Sequence, residues 1–185
     1  MILKKKINFG GDNMFKTIGC LMILGSSTIG GFIYSEGFKK RVKQLNELER
    51  AVNQLQSEIE YTHTPLPEAL LNVSLKSEAP INKIFMKASN LLSLNKVETV
   101  YDAFQQCFYE GDIHLNLDKE DINVILDLSK SLGESDVEGH KKIFLLVKNN
   151  LKKRINIAET IMNKNVKMYR YLGFSIGAMI VIVLI

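Results

Sequence analysis

The side chains that could do chemistry are three histidines (His63, His114, His140), two cysteines (Cys20, Cys107) and a few paired carboxylates. A metal site needs His, Cys or carboxylates at fixed short spacings, and these three histidines share none. Acid–base work needs two carboxyls in unlike surroundings. The pairs on offer, Glu58 with Glu60 and the set Asp118, Glu120, Asp121, read instead as helix-end and surface charges. No glycine-rich phosphate loop and no nucleophile elbow occurs. His63 stands beside Thr64-Pro65 and reads as a turn residue, while Tyr61 and Phe104 read as core aromatics. The sequence therefore predicts no enzyme, no cofactor and no metal. With two cysteines, one on an apolar stretch and one on a helical face, it also predicts a reducing compartment without disulfides.

The elements that carry these residues are helices. Period-two alternation is missing, and helical spacing recurs. Phe38, Leu45, Leu48, Val52, Leu55 and Ile59 form one stripe. That stripe cannot pass Pro65, which lacks an N–H and clashes with the preceding turn. Thr64 is expected to cap a new helix with Pro65 at its first position, and Leu66, Ala69, Leu70 and Val73 to give it an apolar face. Tyr61, Thr64, Pro65, Leu66, Glu68, Ala69 and Leu70 thus make a corner motif that sets the register of a bundle.

Three short stripes follow. Ile81, Ile84, Phe85, Ala88, Leu91 and Leu92 form the first, with Pro80 near its start. Val97, Val100, Tyr101, Phe104 and Phe108 form the second, ending at Gly111, and Ile122, Ile125, Leu126, Leu128 and Leu132 form the third. Asp118, Glu120 and Asp121 occupy the third helix's first turn, and Gly133 is expected to end it as a left-handed cap. Ser135, Asp136 and Glu138 have capping-box spacing for a last helix. Its stripe Phe144, Val147, Leu151, Ile155, Ala158, Met162 leads without a proline into the apolar tail after Arg170, Tyr171, Leu172 and Gly173. The expected helices are 36–62, 65–75, 80–93, 97–109, 118–132 and 136 onward.

Charge divides unevenly. Residues 44–163 hold 13 Lys+Arg against 18 Asp+Glu, whereas the remainder holds 11 bases against 2 acids. Those outer bases flank two apolar stretches, which is a membrane pattern and not a nucleic-acid footprint. Thr17–Tyr34 is uncharged and covers about 27 Å as a helix, close to a bilayer core. A cleaved signal peptide competes there, but no clear cleavage pattern follows and the helical stripe resumes at once. Gly19, Gly25, Gly30 and Gly31 can admit a close helix neighbour. The organisation expected is a leader 1–13, a span at 15–35, a bundle 36–168 and a span at 169–185. Lys39, Lys40, Arg41, Lys43, Lys164, Lys167 and Arg170 flank the spans on the bundle's side, which places the bundle in the cytoplasm. Gly10-Gly11-Asp12 can be encoded by a purine-rich ribosome-binding sequence, so translation is expected to start at Met14.

Three segments together carry a resemblance: Tyr61-Thr62-His63-Thr64-Pro65-Leu66-Pro67-Glu68-Ala69-Leu70, Leu132-Gly133-Glu134-Ser135-Asp136, and Met168-Tyr169-Arg170-Tyr171-Leu172-Gly173. At these positions between two terminal spans, from Met14 to Ile185, the chain resembles the stage III sporulation protein AB family of endospore-forming bacteria. That family commonly has tryptophan where Phe104 and Tyr169 stand, and glutamine where His140 stands. The resemblance implies an all-α fold, a cytoplasmic six-helix bundle like that of the type II secretion and type IV pilus platform protein. It implies a mother-cell protein at the outer forespore membrane, part of a secretion-like channel complex. Its implied partners are a secretion-type ATPase resembling stage III sporulation protein AA, other membrane components of that complex and the lipid bilayer, with self-association left open and no nucleic acid. Docking of the ATPase is expected at Asp118, Glu120, Asp121, Glu134, Asp136 and Glu138. The rival is a membrane-anchored phosphotransfer bundle using an exposed mid-helix histidine.

Overall fold

The apolar stripes become helices because each can bury one face only by packing on another. In a computed structural model, which describes residues 11–109, 113–134 and 137–184, six helices account for nearly all of the described chain and no strand occurs among those residues. They are α1 (Gly11–Glu60), α2 (Leu66–Lys76), α3 (Ile81–Ser93), α4 (Val100–Tyr109), α5 (Lys119–Glu134) and α6 (Val137–Leu184). The leader expected ahead of Met14 lies largely outside the described residues. The helix expected from residue 36 is the second half of α1, which continues unbroken from Gly11.

The chain divides into two units, one of residues up to Phe38 together with those from Met162, the other Lys39–Ile161. The larger unit is the bundle. Its core takes Leu45, Leu48, Val52 and Leu55 from α1, and Phe144, Val147, Leu151 and Ile155 from α6. Between these, α2 packs on α3, α3 on α4 and α4 on α5. Phe85 meets Phe104 edge-on, with ring centroids 5.5 Å apart, and Phe108 stacks beyond at 6.3 Å. α4 is rotated from the expected stripe: Val100, Ala103, Phe104 and Cys107 are buried, whereas Val97 and Tyr101 are half-buried. Small residues at 103 and 107 let neighbouring helices come close, a face that large apolar side chains alone do not announce.

At the corner the last turn of α1 closes through Tyr61 N–H and Thr62 N–H to the Ser57 carbonyl, and Thr64 N–H to the Glu58 carbonyl at 3.0 Å. His63 takes φ 52°, the left-handed conformation such a helix stop requires. Tyr61, expected in the core, is 80% exposed because the chain turns away one residue after α1 ends. The cap also differs from expectation. Pro65 holds the capping position and its carbonyl accepts the Ala69 N–H at 2.9 Å, while Pro67 sits in the first turn. The Thr64 hydroxyl turns back to the Glu58 carboxylate at 3.3 Å. Gly133 lies inside the last turn of α5, not after it, since glycine permits a left-handed stop without imposing one. Ser135 and Asp136 fall outside the described residues, as do the side chains of Glu134, Glu138 and Arg170.

In the smaller unit, Gly31 and Gly173 face each other. A Cβ on Gly31 would lie 2.7 Å from the Tyr169 carbonyl oxygen, and one on Gly173 would lie 3.0 Å from that of Ser27. The Ser27 hydroxyl donates to the Gly173 carbonyl at 2.5 Å. Gly19, Gly25 and Gly30 meet nothing. Tyr34, Phe38 and Tyr169 form an aromatic cluster, with centroids 4.6 to 6.1 Å apart. Leu21, Met22, Ile29 and Ile33 on α1, and Phe174, Met179, Ile182 and Val183 on α6, are exposed. Among the described residues, the stretch Lys141–Val183 is the one helix long and apolar enough to cross a membrane.

Candidate functional site

The most polar buried feature of the bundle is at the first turn of α5. Asp121 is 0% exposed, and its carboxylate accepts four hydrogen bonds. Arg41 of α1 gives two, Nε to Oδ2 at 2.8 Å and Nη2 to Oδ1 at 3.1 Å. Arg154 of α6 gives one, Nε to Oδ1 at 2.7 Å, and the Asp118 N–H gives the last at 3.0 Å. Arg41 also pairs with Asp118 at 2.6 Å, and Arg154 with Glu120. Burial by itself would push the Asp121 carboxyl up, but the hydrogen bonds from Arg41, Arg154 and the Asp118 backbone outweigh it and hold the group below the ordinary carboxylate range. Three helices distant in sequence are tied at one carboxylate.

This corrects one expectation and adds to another. Asp121 cannot meet a partner, because the helix turn that places it at the N-terminus of α5 points it into the core. Arg41, one of the bases that flank the first apolar stretch in sequence, has its guanidinium buried against Asp121 and Asp118. Asp118 and Glu120 are exposed, but their charges are already met by Arg41 and Arg154. Arg154 drew no attention in the sequence, since one arginine after two lysines reads as part of a solvated face. The sole available cue was its position one before the core residue Ile155, at the edge of the buried stripe.

A second polar node sits at the corner. Glu58 accepts from Thr64 Oγ1, from Asn72 Nδ2 at 3.2 Å and from Lys76 Nζ at 3.4 Å, so α1, the turn and α2 share one acceptor. The Asn72 amide above all, with Lys76 and Thr64, holds this carboxyl below its usual range despite partial desolvation. Glu47 of α1 similarly accepts the Glu78 N–H at 2.7 Å. Cys107 is buried, and desolvation pushes its thiol up to about 11, which makes it inert. His63 and His114 lie in connecting segments and not in helices, and the His140 side chain is outside the described residues. Among the described residues no group of His, Cys, Asp and Glu is placed to hold a metal ion.

The geometry defines a class: an all-α bundle, bonded together by buried ion pairs, whose first and last helices run on into an apolar two-helix unit. The family model for stage III sporulation protein AB matches residues 16–185, and the chain belongs to that family. Stage III sporulation protein AB of Bacillus subtilis (strain 168) is 28% identical over 171 residues, covering 92% of this chain and 99% of that one. A solved structure of stage III sporulation protein AB superposes with a TM-score of 0.61 at 25% identity, over 66% of this chain and 96% of the other. The role that follows is one in sporulation.

Proposed function

We propose that this chain is a non-enzymatic platform of the channel complex between mother cell and forespore. It is held in the outer forespore membrane by α1 and α6, with residues 39–161 in the mother-cell cytoplasm. There it docks a secretion-type ATPase resembling stage III sporulation protein AA and binds other membrane components of the complex. The observation that carries this reading is the exposed apolar surface of α1 and α6 outside the bundle, from Leu21 to Ile33 and from Phe174 to Val183, in a family named for sporulation. Family membership supports the role, and the partner follows from the likeness to the type II secretion platform that the family resemblance implies.

Mechanically, α6 would act as the transmitting element. It carries Arg154, through which α5 grips it, and α1 carries Arg41 on the same carboxylate. A partner that shifts α5 therefore acts on both long helices together. Of the acids first expected to dock the ATPase, Asp118 and Glu120 are matched internally. The experiment is affinity isolation of the tagged full chain from sporulating cells in mild detergent. Recovery of the ATPase at stoichiometric yield is expected; recovery of the membrane components without it would overturn the docking role.

A further inference from the structure

In the smaller unit, α6 has an inner and an outer side. Gly173 packs on Gly31 of α1, and the Tyr169 ring lies against Tyr34 and Phe38, which fixes the inner side. At 3.6 residues per turn, the side away from Gly173 carries Lys164, Lys167, Met168 and Tyr171, all of them exposed. Lys167 and Tyr171 are one turn apart in a single row, and Phe174 continues that row toward the tail. Tyr171 is 74% exposed and, among the described residues, makes neither the ring contact that Tyr34 and Tyr169 share nor a hydrogen bond. Beyond it the exposed surface is apolar, from Phe174 through Met179 and Ile182 to Val183. From Thr160 onward the chain holds three bases, Lys164, Lys167 and Arg170, and no Asp or Glu.

The order cation, amphipathic ring, apolar surface along one row matches the layers of a lipid leaflet. With Tyr171 at the edge of the hydrocarbon, Lys167 lies four residues above it, about 6 Å at 1.5 Å per residue. The headgroup layer on each side of a bilayer is about 5–7 Å thick, so Lys167 falls within it. Lys164 lies seven residues above Tyr171, about 10 Å, which still falls within the distance over which a charged surface is felt. Bases directly beside an apolar span attract anionic headgroups. A zwitterionic headgroup brings its own cation along with its phosphate, whereas an anionic one leaves its phosphate charge to the lysines.

We propose that the row Lys164, Lys167 and Tyr171 on the outer side of α6 is a binding site for an anionic phospholipid. The two lysines take its phosphate, the Tyr171 hydroxyl donates to it, and the acyl chains lie along Phe174 and the apolar surface beyond. This rests on the reading of α6 as a helix held in a membrane and adds the class of lipid that it selects. A lysine near an anionic surface is worth about fivefold in binding, so the site prefers an anionic over a zwitterionic lipid and the preference weakens with salt.

The chain has no tryptophan, so Phe174→Trp places a single fluorophore beside the site. The full-length variant is reconstituted in phosphatidylcholine vesicles containing phosphatidylglycerol, with brominated acyl chains on one lipid or on an equal fraction of the other, and contact is read as quenching. Expected is an affinity for phosphatidylglycerol about fivefold above that for phosphatidylcholine at low salt, falling toward parity in about 1 M salt. The ratio should be near one in a Lys164→Gln/Lys167→Gln background whose Cys107 stays protected, and near one when the fluorophore is moved to Ile29→Trp on the exposed side of α1. Equal quenching by the two lipids at Phe174→Trp overturns the site, as does a preference that survives Lys164→Gln/Lys167→Gln. A preference abolished by excess soluble glycerol phosphate makes the ligand a free phosphate and overturns the lipid assignment. Retention of the chain in the vesicles through alkaline carbonate, with equal quenching, overturns the lipid site alone; extraction by carbonate overturns the membrane reading as well.

Discussion

Replacing Asp121 by alanine tests the ion cluster directly. The substitution removes the acceptor of two hydrogen bonds from Arg41, one from Arg154 and one from the Asp118 N–H. Removing one member of a buried ion pair costs about 3–5 kcal/mol, because the remaining charge keeps its desolvation penalty. Here Arg41 retains Asp118 and Arg154 retains Glu120, so the loss should fall at the lower end, about 3 kcal/mol. Cys107 reports on it without a probe, since its thiol is buried and alkylates when the bundle opens. Full-length protein in micelles is pulsed with iodoacetamide at increasing urea, and modification of the Cys107 peptide is read by mass spectrometry. With a urea dependence of about 2 kcal/mol per molar, the midpoint should drop by about 1.5 M. Glu120→Ala, at an exposed partner, should cost no more than about 1 kcal/mol. An Asp121→Ala midpoint within about 0.3 M of the parent would refute the reasoning. The pH dependence has a defined sign. The folded-state value of Asp121 lies below its unfolded value of about 3.9, so its contribution is complete above pH 4 and lost as pH falls through the folded value. The gap between parent and Asp121→Asn should narrow in that acid window and hold steady from pH 5 to 8.

Other outcomes follow from the same contacts. Glu58→Ala removes the shared acceptor of Thr64, Asn72 and Lys76 and should lower bundle stability by about 1 kcal/mol in the same alkylation assay. His63→Val forces a β-branched residue into φ 52° and should cost about 1–2 kcal/mol, whereas His63→Asn should be near neutral. Gly31→Val should lower the thermal midpoint in detergent by several degrees, because its Cβ has no room beside the Tyr169 carbonyl, while Gly30→Val should leave it unchanged.

Much of the fold could be read in the chain because helices are specified locally. The stripe Leu45, Leu48, Val52, Leu55 is buried throughout, and Pro65 and Pro80 mark real interruptions. Errors arise where local chemistry is permissive. Gly133 can stop a helix but does not, Thr64 can cap one but bonds Glu58 instead, and Tyr61 is helically spaced but one residue past the end of its helix. The ion cluster was illegible for a different reason. Arg41 and Asp121 are 80 residues apart, and Asp121 and Arg154 33 apart. Each charge has an adequate local explanation, as a membrane-edge cation, a helix-start anion and a surface base. Pairing over such distances is set by how helices pack, which no single stripe encodes.

The central claim is that residues 39–161 stand in the cytoplasm, held by apolar helices on either side. The direct measurement is cysteine labelling of the full chain in protoplasts of growing cells. Glu68→Cys supplies an exposed thiol on α2, Cys20→Ser removes the other native cysteine, and Cys107 stays silent through burial. A membrane-impermeant maleimide should leave Glu68→Cys unmodified in intact protoplasts and modify it fully after lysis. Full modification before lysis would put the bundle on the opposite side of the membrane and contradict the account.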